Sequence, residues 1–158
     1  FKGVSFDYVV SSDLERAKET ASILSQGRNL PLHTSPKLRE QSWGAWEGHS
    51  FDKLREMFGA GFNAYSGSKP HAVPGVESHR EIAERVYPCL KEIADENRGQ
   101  NVLIVSHGGV LKSLIFHLGI ENLYQLAFEN LGFIKMEYDG ENLKFLEAQG
   151  LKEHFVAK

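Results

Sequence analysis

The run Val102-Leu103-Ile104-Val105-Ser106-His107-Gly108-Gly109-Val110-Leu111-Lys112 constrains the fold of this chain more than any other stretch. A short, continuously apolar segment is the pattern of a strand covered by helices on both faces. It stops at a histidine and turns through two glycines into a helical pattern. Open α/β sheets bind ligands at such places, outside the carboxyl end of a strand. The helix start presents unpaired N–H groups and a favourable dipole to an anion. A histidine there can touch a phosphate, or simply pack in a tight turn.

A second segment has the same grammar. Tyr8-Val9-Val10 leads into Ser11-Ser12-Asp13, and Leu14, Ala17, Ala21 and Leu24 then recur at helical spacing. Ser12 or Asp13 is the expected N-cap of a helix running to about Gln26. Arg16 lies off the apolar stripe in the first turn, where a guanidinium can grip phosphate oxygens through parallel hydrogen bonds. A solvated surface arginine would look the same.

The remaining elements follow from local signals. Leu30 to Thr34 suits a short strand, and the tryptophan- and glycine-bearing stretch Leu38 to His49 suits a structured loop. Ser50 can cap a short helix ending near Phe58. Residues 59–74, rich in glycine and proline, suit a surface excursion or lid. Ser78-His79-Arg80-Glu81 has capping-box spacing. The helix behind it carries Ile82, Val86, Leu90 and Ile93 on one face, with a kink expected at Pro88. Asp139-Gly140-Glu141-Asn142 separates two strand patterns, Phe133 to Tyr138 and Leu143 to Leu146, and predicts a hairpin at the sheet edge. The order argues for one α/β domain over 1–158, a three-layer α/β/α sandwich with a mainly parallel sheet and an antiparallel C-terminal hairpin.

Four blocks, in order, resemble the histidine phosphatase superfamily, the phosphoglycerate-mutase-like proteins. They are Ser11 to Ala21, Leu38 to Gly48, Pro74-Gly75-Val76-Glu77-Ser78 and Val105 to Gly109. Val76 stands where that family has a glycine. The resemblance implies the same layered fold and metal-independent phosphoryl transfer through a phosphohistidine. Arg16 matches the phosphate-binding arginine, His107 the second catalytic histidine, and Glu40 the acid that protonates the leaving alkoxide. As a cation, His107 would donate to a phosphate oxygen. A carboxyl doing the work of Glu40 must carry its proton near neutral pH, which partial burial or a nearby anion promotes. Gly108 would let backbone approach the phosphate. Phe58, Phe62, Tyr65, Lys69 and His71, in and before the excursion, could shape substrate choice. For Trp43 and Trp46, packing of the loop is the expected role.

The family's Arg-His-Gly block, with its nucleophilic histidine on a central first strand, does not occur in the sequence. The expectation is therefore a strand–helix unit, nucleophile included, upstream of Phe1. Without it the sheet is incomplete and dimerisation is worth checking. Two functions stand side by side. One is a phosphatase acting on a small phosphorylated metabolite. The other is a non-catalytic phospholigand-binding or scaffold protein that retains Arg16 and His107. A phosphoglycerate mutase is disfavoured, because such mutases carry asparagine where Gly109 stands.

Composition narrows the rest. A net charge of −3 with no basic tract gives no reason to expect nucleic acid. The single cysteine, Cys89, excludes an internal disulfide and argues for a reducing compartment, the cytoplasm. No apolar run reaches membrane-spanning length. The seven histidines show no His-x-x-His or His-x-x-x-His pair, so neither a metal nor another cofactor is expected.

Overall fold

The computed structural model describes residues 3–58 and 75–153. Three parallel strands form its sheet: β1 (Tyr8–Ser12), β2 (Leu32–Ser35) and β3 (Val102–Val105), in the order β2-β1-β3. Val9 pairs with Leu32 on one side and Leu103 on the other. Parallel neighbours require crossovers, and helices supply them. Here α1 (Glu15–Leu24) follows β1, while α2 (Phe51–Phe58) and α3 (His79–Glu96) precede β3, and α4 (Gly108–His117) follows it.

Alternation along the strands builds the layers. Val9, Leu103 and Val105 pack with Ala17 and Ala21 of α1 on one face. Val10 turns to the other face and meets Ile82, Val86, Cys89 and Leu90 of α3 and Val110 and Leu114 of α4. The sheet is thus covered on both sides, which explains why β3 is apolar throughout. Cys89 packs within that second face.

Two helix starts differ in kind. Ser78 caps α3 with both halves of the capping box: its hydroxyl accepts from Glu81 N–H, and the Glu81 carboxylate accepts from Ser78 N–H at 2.9 Å. One continuous helix then runs through Pro88. At α1 the expected cap does not form. Leu14 occupies the N-cap position without a side-chain bond. Asp13 is instead held by Arg39, whose Nε and Nη2 donate to the two carboxylate oxygens at 2.8 and 2.6 Å. Ser12 Oγ accepts a long bond from Leu14 N–H at 3.3 Å.

The hairpin departs from expectation in a second way. Its strands, β4 (Leu126–Tyr138) and β5 (Leu143–Glu153), are longer than the sequence pattern suggests. Among the described residues they form their own two-stranded antiparallel sheet and do not pair with the edge of the parallel one. Side-chain packing joins them to the domain: Ile134, Met136 and Leu143 lie against the α3–α4 face of the core. Register shifts along β4–β5, with Leu131 and Gly150 at positive φ, interrupt the two-residue period that a sequence reading relies on.

Candidate active site

Glu40, Arg16 and His107 all follow the carboxyl ends of parallel strands, and the fold brings those ends side by side. Arg16 sits in the first turn of α1, exposed. His107 is the N-cap residue of α4, two positions beyond β3, and is buried. Glu40 lies beyond β2 and a 3-10 turn at Pro36–Leu38, half-buried. Ser106 Oγ donates to Leu38 O at 2.8 Å and ties the Glu40 loop to the end of β3.

The Glu40 carboxylate lies against the start of α4. Its Oε2 accepts from Gly109 N–H at 3.4 Å and its Oε1 from Gln41 N–H at 2.8 Å. Contact is so close that a Cβ on Gly109 would stand 2.3 Å from Glu40 Oε1. A Cβ on Gly108, by contrast, meets nothing within 4 Å. A side chain at the second glycine of the pair would thus displace the Glu40 carboxylate, and one at the first would not.

Burial is the main influence on the His107 imidazole and pushes its pKa down; Glu40 opposes this, Arg16 and Arg85 reinforce it, and Asp13 opposes it. That direction favours a neutral ring, whereas the resemblance implies a cation donating to a phosphate oxygen. Its Nε2 is buried and has no hydrogen-bond partner among the described residues. A buried ring nitrogen left unpaired is costly, and such groups call for an explanation in function or in a bound species.

Arg85 is the residue that sequence reasoning missed. It lies on α3, half-buried, and donates in four directions. Nε and Nη2 reach the two oxygens of Glu77 at 2.7 and 3.0 Å, Nη1 reaches Lys37 O at 2.7 Å, and Nη2 also reaches Glu40 O at 3.1 Å. Glu77 in turn accepts from Ser42 N–H at 2.8 Å. Burial works to raise the Glu77 pKa, but the bonds from Arg85 and Ser42 outweigh it and hold the carboxylate ionised. This fork clamps both ends of the Glu40 loop. Only spacing in three dimensions reveals it, since in sequence Arg85 looks like Arg80, the other arginine of the same helix.

The aromatic loop residues pack as expected. Trp46 is buried with Leu54 and Val76, and Trp43 lies against that cluster. Glu47 accepts from Trp43 N–H and Ser42 Oγ, at 3.3 and 3.4 Å. Phe62, Tyr65, Lys69 and His71, with the whole excursion 59–74, lie outside the described residues, as does the side chain of Phe58. Among the described residues no three His, Cys, Asp or Glu side chains gather as a metal ion would need. No described helix is long and apolar enough to cross a membrane.

Fold and site together define an α/β protein whose charged groups cluster where parallel strands end and helices begin. The profile of the Histidine phosphatase superfamily (branch 1) matches residues 1–149, and the chain belongs to that family. It is 36% identical over 117 residues to the adenosylcobalamin/alpha-ribazole phosphatase of Escherichia coli (strain K12), a match covering 73% of this chain and 58% of that protein. The chain thus spans under two thirds of that curated relative. Among solved structures, Bacillus stearothermophilus YhfR superposes with a TM-score of 0.80 at 27% identity, covering 91% of this chain and 74% of that one. The alpha-ribazole phosphatase from Shigella flexneri superposes with a TM-score of 0.74 at 28% identity, covering 100% of this chain and 80% of that one.

Proposed function

We propose that this protein hydrolyses small phosphomonoesters through a phosphohistidine, the nucleophile being a histidine of the Arg-His-Gly kind that residues 1–158 do not contain. The observation that carries the reading is the buried Nε2 of His107, without a hydrogen-bond partner among the described residues, with Arg16 and Glu40 among its charged neighbours. Relatives named as phosphatases support the reaction class.

In this mechanism a neutral imidazole nitrogen attacks phosphorus while the bond to the substrate alkoxide breaks. Glu40 gives its proton to the departing oxygen. Water then attacks the phosphohistidine, Glu40 takes a proton from it, and inorganic phosphate leaves. Charge spreads over the phosphoryl oxygens in the transition state, so Arg16 and His107 act by position and electrostatics. A phosphate anion beside His107 would draw a proton onto its ring and convert Nε2 into a donor. The proposed substrate is a small phosphorylated metabolite, and the proposed setting is cytoplasmic.

The test is a base-stable, acid-labile radiolabel trapped on the protein, followed by the pH profile of phosphomonoester hydrolysis. The reading expects labelled phosphohistidine. It also expects Glu40→Gln to remove one limb of the profile and to lower kcat by about 10²-fold or more. Thermal stabilisation by inorganic phosphate with neither label nor turnover would instead favour the non-catalytic phospholigand-binding protein.

A further inference from the structure

The start of α4 is an unusual support for a carboxylate. Two consecutive glycines open the helix, and glycine leaves the backbone freer than any other residue. Yet the Glu40 carboxylate rests on the second of them, in the space a methyl group would take. Something must hold that turn still.

Ser113, one turn further along α4, is fully buried. Its Oγ donates to Gly109 O at 2.7 Å, and its only hydroxyl proton is used there. His79, the first residue of α3, brings Nδ1 within 2.9 Å of Ser113 Oγ, a contact in which the tautomer sets the donor. A hydroxyl that donates to Gly109 O accepts from the ring, so a His79 proton on Nδ1 is the arrangement that satisfies both bonds. Phe116 stacks on the imidazole with ring centroids 4.8 Å apart and fixes its plane. Burial, then the nearby Lys112 ammonium, lowers the His79 pKa and keeps the ring neutral, so one nitrogen carries its only proton. Lys112 is itself held by the carbonyl oxygens of Leu123, Tyr124 and Leu126.

We propose that His79 and Ser113 are positioning residues for Glu40, acting through the chain His79 Nδ1–H to Ser113 Oγ–H to Gly109 C=O, which locks the helix turn against which the carboxylate rests. Arg85 clamps the Glu40 loop from one side; this relay fixes the opposing wall from α3. The activity arm of the test rests on the phosphatase reading, while the structural arm does not.

The experiment follows the Gly109 amide resonance in the whole protein and its displacement by Glu40→Gln. Ser113→Ala and His79→Leu are expected to move that resonance and weaken its response to Glu40→Gln. His79→Asn, whose side-chain N–H can stand in for Nδ1–H, is expected to preserve it. In turnover the two disruptive variants should lose kcat about tenfold or more, with KM and inorganic phosphate affinity within about twofold of the parent. An unchanged Gly109 response in both Ser113→Ala and His79→Leu overturns the proposal. So does damage in His79→Asn equal to that in His79→Leu. Were Ser113→Ala to unfold, the two His79 variants decide the matter. Absence of turnover in the parent protein would sink the phosphatase reading and leave the amide measurement to judge the relay.

Discussion

At the scale of single residues, one missing carbon atom matters most. Gly109 has no Cβ, and Glu40 Oε1 occupies the space that one would take. The carboxylate rests on the backbone N–H, while Arg85 holds the Glu40 main-chain oxygen and Glu77 anchors the loop behind it, so a Cβ would displace the side chain and leave its backbone in place. Gly109→Ala is therefore expected to displace Glu40 while the helix persists, since alanine suits a helix better than glycine. On the phosphatase reading kcat should fall by about 10²-fold with little change in unfolding midpoint. A Gly109→Ala enzyme with full kcat would show that the Glu40 position is irrelevant to turnover. Glu40, Arg16 and His107 were legible in the sequence because each stands in a block of recognisable neighbours. Gly109 was legible only as a turn glycine, and Arg85 not at all, because the contacts that tie them to Glu40 span 69 and 45 residues of the chain.

At the scale of elements, local chemistry was a good guide where no distant group competed. The capping box at Ser78 formed as its spacing predicts, because both partners belong to the same turn. Ser78→Ala should cost about 1 kcal/mol in urea denaturation and shift α3, with His79 and Arg85 on it, only slightly. A loss near zero would mean that packing of Ile82 and Val86 alone sets the start of α3. The start of α1 went the other way. Asp13 has the residue type of an N-cap, but Arg39 from beyond β2 takes its carboxylate bidentately. The hairpin shows a third case. Its turn was readable from Asp139-Gly140-Glu141-Asn142, where Asp139 Oδ1 accepts from Glu141 and Asn142 N–H. Its extent and its detachment from the parallel sheet were not, because irregular register hides the alternation.

At the scale of the whole molecule, the buried His107 and the half-buried His79 couple stability to pH. His79 and His107 both have lowered pKa values, burial being the first cause in each. As pH falls below about 6.5 the unfolded chain takes up protons at these positions before the folded one does, so stability should decline with falling pH in that window. Carboxylates held ionised by partners, such as Glu77 with Arg85, contribute a further loss only at lower pH. Urea midpoints at pH 7.5 and 5.5 check this: the difference should shrink in His79→Asn and in His107→Asn. It should also shrink in the parent protein when inorganic phosphate favours a protonated His107. Equal slopes in all of these would place the titration elsewhere. The sequence by itself determined the α/β class, the two-faced core and the parallel strand–helix units, because hydrophobic period and turn chemistry act over a few residues. It also pointed to Arg16, Glu40 and His107, through blocks that lie close in the chain. Packing in three dimensions set the rest: that Glu40 lies on Gly109, that Arg85 clamps its loop, that burial lowers the His107 pKa and that the hairpin stands apart from the parallel sheet. Those outcomes depend on burial and on which distant groups reach a hydrogen bond first, and no local pattern encodes either.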